Sequence, residues 1–219
     1  MTSLQPIDLV CPVCDNHFRS QSVVSTNSFG GKRTDFHERA VGTQPLPYLV
    51  HTCSACGYSG VERSFVEGAD VTTHVRSQVL TVLTPRIAHH QLDSASERYH
   101  AAAQVAEWEG AHPRAVADLL LRAAWCCVDD DDREGERFYR RSAALHFTDA
   151  LARPNAVPSS ERAVLTYLVG ELWRRVGDEA QASEWFVRVD SEIIDVEDQN
   201  WIRAAATQQR ESPREWFGE

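Results

Sequence analysis

Apolar residues recur at intervals of three and four from Ser94 onward, whereas the first third of the chain carries short β-branched runs broken by Gly, Pro, Ser and Thr. The first region predicts a small β module with strands at Gln21–Thr26, Tyr48–Thr52 and Val61–Val66. Gly30-Gly31 marks a turn, and Pro45 and Pro47 fix an extended approach to Cys53. Val75, Val79, Leu80 and Leu83 form a helical stripe that predicts a helix over Val71–Leu83 despite its β-branched residues. Pro85–Asp93 then reads as a connector, with His89-His90 in a solvated loop.

Five or six helices come next, each bounded by its own stop signal. The first, Ser94 to about Glu109, aligns Tyr99, Ala102, Ala103 and Ala106 and ends at Gly110. Pro113 opens the second, whose stripe is Val116, Leu119, Leu120, Ala123, Ala124 and Cys127. The aspartates 129–132 close it and can cap the third, about Arg133–Ala152, which stops at Arg153-Pro154. The fourth runs from Ser160 to Val176 with Gly177 as its C-terminal cap. Asp178 and Gln181 open a fifth carrying Ala182, Phe186 and Val189, and a last helix near Asn200–Gln209 would dock Trp201, Ile202 and Ala205. The expected architecture is α+β: a module over 1–68, a partly helical connector over 69–93 and an all-α hairpin array over 94–219.

Composition narrows the setting. With 219 residues and 42% hydrophobic content the chain can bury a substantial core. No stretch reads as a signal peptide or a membrane span. Six cysteines without an export signal suggest a reducing compartment, so the expected location is the cytoplasm. Residues 1–66 are charge-balanced, and the remainder carries the net charge of −10, which disfavours contact with a phosphate backbone by that part.

The chemistry concentrates in Cys11-Pro-Val-Cys14 and Cys53-Ser-Ala-Cys56. A C-x2-C turn places two thiolates at adjacent vertices of a tetrahedron, and two such turns complete four ligands, so Cys11, Cys14, Cys53 and Cys56 are expected to hold one structural zinc ion. Gly57 follows the second pair where a positive φ is wanted, and Asp15 fills the corresponding place in the first. The stretch between the knuckles exceeds that of a minimal zinc ribbon and should project as an inserted loop. It contains Asp35, His37, Glu38 and His51, which read as surface polar residues and turn caps or, alternatively, as a second site. Cys126-Cys127 lie about 100° apart on a helix and cannot easily chelate one ion. No nucleophile triad, phosphate loop or metalloprotease motif is present, so no catalytic or further cofactor-binding residue is assigned.

Thr166-x2-Val169-Gly170-x2-Trp173, Gly177 and Ala182-x3-Phe186 resemble a tetratricopeptide repeat, with Thr166 in place of the usual Trp and Ile194 in place of a closing Pro. A degenerate second unit pairs Leu121 and Trp125 with Ala143-x3-Phe147, Ala150 and Pro154. Taken whole, the chain resembles the bacterial domain-of-unknown-function family 2225, which joins a four-cysteine zinc ribbon to tetratricopeptide-like helices. The likeness rests on Cys11-Pro-Val-Cys14 with Phe18, Arg33-Thr34-Asp35-Phe36, Pro47-Tyr48 before Cys53-x2-Cys56-Gly57-Tyr58, Ala124-Trp125 and Tyr167-Leu168-Val169-Gly170-Glu171-Leu172-x-Arg174-x-x-Gly177. Asp15, Cys126-Cys127, the aspartate run and the acidic balance depart from the family pattern. The resemblance implies a fold and no activity.

The expected role is a non-enzymatic adaptor that binds a protein partner and no membrane, with Trp108 and Trp216 the first candidate anchors. The alternative is a nucleic-acid-binding ribbon using Arg19, Lys32, Arg33 and Arg39, with Phe36 and Tyr48 as stacking groups.

Overall fold

The computed structural model describes residues 1–65 and 70–218. Strand β1 (Ser3–Val10) pairs antiparallel with β2 (His17–Ser25), from Val10 opposite His17 to Ser3 opposite Ser25, and the first cysteine knuckle is the turn between them. A much shorter pair, β3 (His51–Thr52) and β4 (Ser59–Gly60), brackets the second knuckle. The predicted strand Gln21–Thr26 is therefore the end of a longer strand. Tyr48–Thr52 is strand only in its last two residues, because Pro45 and Pro47 favour the tight 3-10 turn Leu46–Tyr48. Val61–Val66 is no strand over its described part: Glu62–Phe65 is a 3-10 turn that swings Phe65 inward onto Phe18, Tyr58 and His51, while Val66 lies outside the described residues.

The ambiguous stripe is helical and runs further than the sequence indicates. Thr72 caps α1 (Thr73–Gln78) by accepting from the Val75 amide, a π turn over Val79–Leu83 comes after it, and α2 (Thr84–Ala88) continues through Pro85. The widened π turn accommodates a proline that lacks an N–H donor. Val75, Val79 and Leu83 are fully buried, but Leu80 faces solvent. His90 lies exposed beside Asp93, in the loop expected for it.

Six helices complete the body: α3 (Ala95–Trp108), α4 (Pro113–Asp129), α5 (Arg133–Ala152), α6 (Ser159–Val176), α7 (Glu179–Glu192) and α8 (Val196–Glu211). Ser94, Asp132 and Asp178 cap α3, α5 and α7 through the Glu97, Gly135 and Gln181 amides, and Gly177 ends α6 at φ 92°. Helix α8 starts four residues earlier than expected because Asp195 accepts from the Glu197 and Asp198 amides. Ile202 is buried on it, but Trp201 is half-exposed rather than docked. Each helix packs on its successor across a short turn. No described helix is long and apolar enough to cross a membrane.

Three apolar cores result among the described residues. One fills α3 to α6, and another joins α6, α7 and α8. The third belongs to the cysteine module, yet includes Val75, Val79 and Leu83 and, from α3, Ala101 and Val105. The module is thus packed on the helical body through residues of both.

Candidate metal centre and the loop between its knuckles

Both knuckles are built by one backbone scheme. The Asp15 amide donates to the Cys11 carbonyl and the Gly57 amide to the Cys53 carbonyl, each at 2.9 Å. Cys11 in turn donates to the Asn16 carbonyl and Cys53 to that of Tyr58. Closing these turns requires a positive φ at the fourth residue on, and Asp15 (58°) and Gly57 (80°) supply it. Gly57 is needed for space as well, because a Cβ there would lie 3.0 Å from Leu83 Cβ.

The two turns face each other and bring all four Sγ atoms within 4.8 Å of one another. Cys11 and Cys56 sulfurs are 3.6 Å apart, as are those of Cys14 and Cys53. Cys11, Cys53 and Cys56 are buried, Cys14 partly so. Three of the thiols perturb one another: the bond to Cys53 pushes Cys11 up to about 12, the bond to Cys11 raises Cys56 far above its usual value, and Cys53 is held well below by thiol donors. A cation at the centre favours the thiolate form of every ligand. The segment α1–α2 braces both knuckles, with Arg76 donating to the Pro12 carbonyl at 3.1 Å and Thr84 to that of Cys56 at 3.0 Å. Among the described residues, Cys11, Cys14, Cys53 and Cys56 are the one His/Cys/Asp/Glu cluster with metal-holding geometry.

The inserted loop does not project. Lys32 and Glu38 bridge in a narrow antiparallel hairpin whose tip, Thr34-Asp35-Phe36, enters the helical body. Asp35 has no solvent exposure; its Oδ2 accepts from Arg140 at 2.7 Å and from Trp125 Nε1 at 2.9 Å. Burial alone would raise its carboxyl pKa, but Arg140, Arg175 and Arg33 hold it well below the usual range. Thr34 donates to Glu171 Oε1 at 2.6 Å, and Phe36, at φ 67°, lays its ring on Tyr167 and Phe217. His37 stacks on Trp125 with ring centroids 4.8 Å apart, and burial lowers its pKa to about 4, Asp35 opposing and Arg39, Arg33 and Arg140 assisting.

The four polar residues of the insertion are therefore dispersed. Asp35 and His37 serve the docking, Glu38 pairs with Lys32 at the surface, and His51 Nδ1 bonds Ser20 at 2.8 Å. They form no second site. Sequence reasoning misses the receptors Arg140 and Glu171, although a signal exists. Arg140 is in phase with Ala143, Ala144 and Phe147, and Glu171 with Tyr167 and Leu168, so each charge sits on a buried stripe.

A cleft of about 640 Å³ opens where β4 and the Glu62–Phe65 turn meet α3 and α4. Ala106, Ala115 and Leu119 line it with Glu109, Asp118 and Arg122. Glu109 and Asp118 are exposed residues on its walls, and partial desolvation raises the carboxyl pKa of both. Trp108 and Trp216 are half-buried; Trp108 packs against the module's core.

The family model described as an uncharacterized protein conserved in bacteria (DUF2225) matches residues 5–212. No curated protein and no solved structure matches the chain.

Proposed function

The chain belongs to this family of uncharacterized bacterial proteins, and we propose that it is a non-enzymatic scaffold in which one structural zinc ion fixes the N-terminal module against a helical body that receives a protein partner. Zinc suits the donor set. Four thiolates are a soft, closed shell, and Zn–S bonds of about 2.3 Å give tetrahedral edges of about 3.8 Å, against the 3.6 Å seen for two edges. No vertex is left for water or substrate, so the ion acts on folding rather than on a reaction.

The observation that carries the binding role is the cleft between module and array. Its volume is that of a side-chain or short-peptide site, and its walls mix apolar patches with carboxylates and arginine. Its position gives the zinc a consequence for recognition, because the ion holds one wall in place against the other. The helical-hairpin body, similar to tetratricopeptide packing, supports that reading by analogy. The nucleic-acid alternative loses support from the ion pairing: Arg19, Lys32, Arg33 and Arg39 each already face a carboxylate, and Phe36 is packed inside.

Ala115 is exposed on the cleft wall, so Ala115→Trp obstructs the cleft without entering the core. Crosslinking and mass spectrometry on protein from its native host should map partner peptides to the cleft walls in the wild type and lose them in A115W. Crosslinks that avoid the cleft, or that survive the substitution unchanged, would sink the cleft as the binding surface. Reproducible recovery of nucleic acid alone would favour the alternative.

A further inference from the structure

The segment after α8 lies on the inserted loop in the manner of a bound peptide. Its backbone runs antiparallel to residues 32–34: the Thr34 amide donates to the Glu215 carbonyl at 3.1 Å, the Phe217 amide donates to the Lys32 carbonyl at 3.0 Å, and Arg33 and Trp216 form an isolated bridge. Strand addition of this kind draws affinity from the backbone and selectivity from the side chains that alternate along it.

Three successive side chains fill three receptors. The Glu215 carboxylate accepts from Arg33 Nη2 at 3.1 Å, Arg174 Nη2 at 3.1 Å and Arg175 Nη1 at 2.5 Å. The Trp216 ring lies beside Gly31, under the Arg33 guanidinium at 5.6 Å. Phe217 stacks on Phe36 at 5.8 Å and approaches Tyr167.

The charge of the receptor is incomplete without that carboxylate. Among the described residues, Arg33, Arg140, Arg174 and Arg175 are matched inside the body by Asp35, Glu171 and Glu136, and Glu215 is the fourth negative group. The three arginines that meet Glu215 have side chains 13%, 17% and 4% exposed, whereas Glu215 itself is half-exposed at the rim. Lifting the segment would leave a largely desolvated excess positive charge beside uncovered aromatic rings, a surface complementary to an anionic residue followed by aromatics.

From this geometry we infer that the groove formed by residues 31–36 with α6 is a peptide-binding site for an acidic–aromatic–aromatic segment, and that residues 215–217 are its occupant in cis. The ligand in trans is a segment of a partner protein with the same pattern. The site is separate from the cleft, and either can fail alone. Tethering gives the resident segment an effective concentration on the order of millimolar, so a partner binds once the segment yields.

The test uses the full chain and a fluorescent synthetic peptide of residues 210–218, read by anisotropy. The variant E215Q/W216A/F217A should bind the peptide saturably, and the wild type should bind it at least about tenfold more weakly. A peptide carrying Glu215→Gln should lose about tenfold in affinity for the variant, the scale of a lost charge-assisted hydrogen bond. Absence of saturable binding to the folded variant, or equal binding of the two peptides, overturns the assignment. If the variant does not fold, amide exchange in the wild type decides. Thr34 and Phe217 amides exchanging about a hundredfold faster than that of Val169 show a segment that opens locally, as a ligand must, and exchange at the Val169 rate overturns it. A wild type that dimerises with concentration while the variant stays monomeric would make a second copy the occupant and overturn the partner assignment.

Discussion

Asp35, at the tip of the loop between the cysteine knuckles, and Arg140, in the middle of α5, form a 2.7 Å ion pair with neither side chain exposed to solvent. The two are 105 residues apart in sequence, so the pair ties the segment between the cysteine knuckles to the centre of the helical body. Removing one partner leaves the other charged and buried, the costly way to break such a pair. Arg140→Ala should therefore destabilise the fold by roughly 3 to 5 kcal/mol in chemical denaturation. A loss under about 1 kcal/mol would place the pair in the range of exposed bridges and contradict its burial.

His37 makes stability depend on pH. Its folded pKa of about 4 lies below the value of about 6.5 expected in the unfolded chain. As pH falls through that window, the unfolded state takes up a proton that the folded state refuses, so stability is full above about pH 6.5 and declines toward pH 4. The loss amounts to roughly 3 kcal/mol. Asp35 adds little in that window and only at its acid end, where the unfolded chain begins to protonate a carboxyl that the fold keeps ionised. His37→Phe keeps a ring on Trp125 and should flatten the profile relative to wild type at equal metal content; parallel profiles would show that His37 does not titrate as described.

Gly170 and Phe186 are in contact across the hairpin of α6 and α7. A Cβ added at Gly170 would lie 2.8 Å from the Phe186 ring, with Ala182 buried in the same core and Trp173 packed against it. Phe186→Ala should cost about 3 to 5 kcal/mol and Gly170→Ala about 1 to 3 kcal/mol. If G170A proves neutral in thermal unfolding, the ring must be free to move and the contact is not tight.

Much of this is legible in local sequence. The knuckles announce themselves because their spacing and the residue after each pair, Asp15 or Gly57, encode the turn without help from elsewhere. Helix ends are equally visible, since Ser94, Asp132, Gly177 and Asp178 act within their own turns. The inserted loop misleads for the opposite reason. Arg33-Thr34-Asp35-Phe36-His37 looks like surface because its partners are Trp125, Arg140, Glu171 and Arg175, which no local pattern connects to it. Strand β1 also escapes, since Pro6 interrupts its pattern and only pairing with β2 fixes it.

Cysteine reactivity separates the two kinds of thiol. Cys126 and Cys127 are buried in the α3 to α6 core, burial pushing Cys127 up to about 12 and Cys126 higher, so neither offers a thiolate. A thiol reagent should modify none of the six cysteines rapidly in the metal-loaded fold, four after chelation, and Cys126 and Cys127 only on denaturation. Rapid native labelling of Cys126 or Cys127 would contradict their placement.

The central claim is that Cys11, Cys14, Cys53 and Cys56 bind one structural zinc, and its most direct test is the metal content of protein purified without chelator, by elemental mass spectrometry. The account predicts about one zinc per chain, reduced well below half an equivalent by Cys53→Ser. Less than half an equivalent in the wild type, a different metal at full stoichiometry, or a Cys53→Ser protein that keeps its zinc would contradict it.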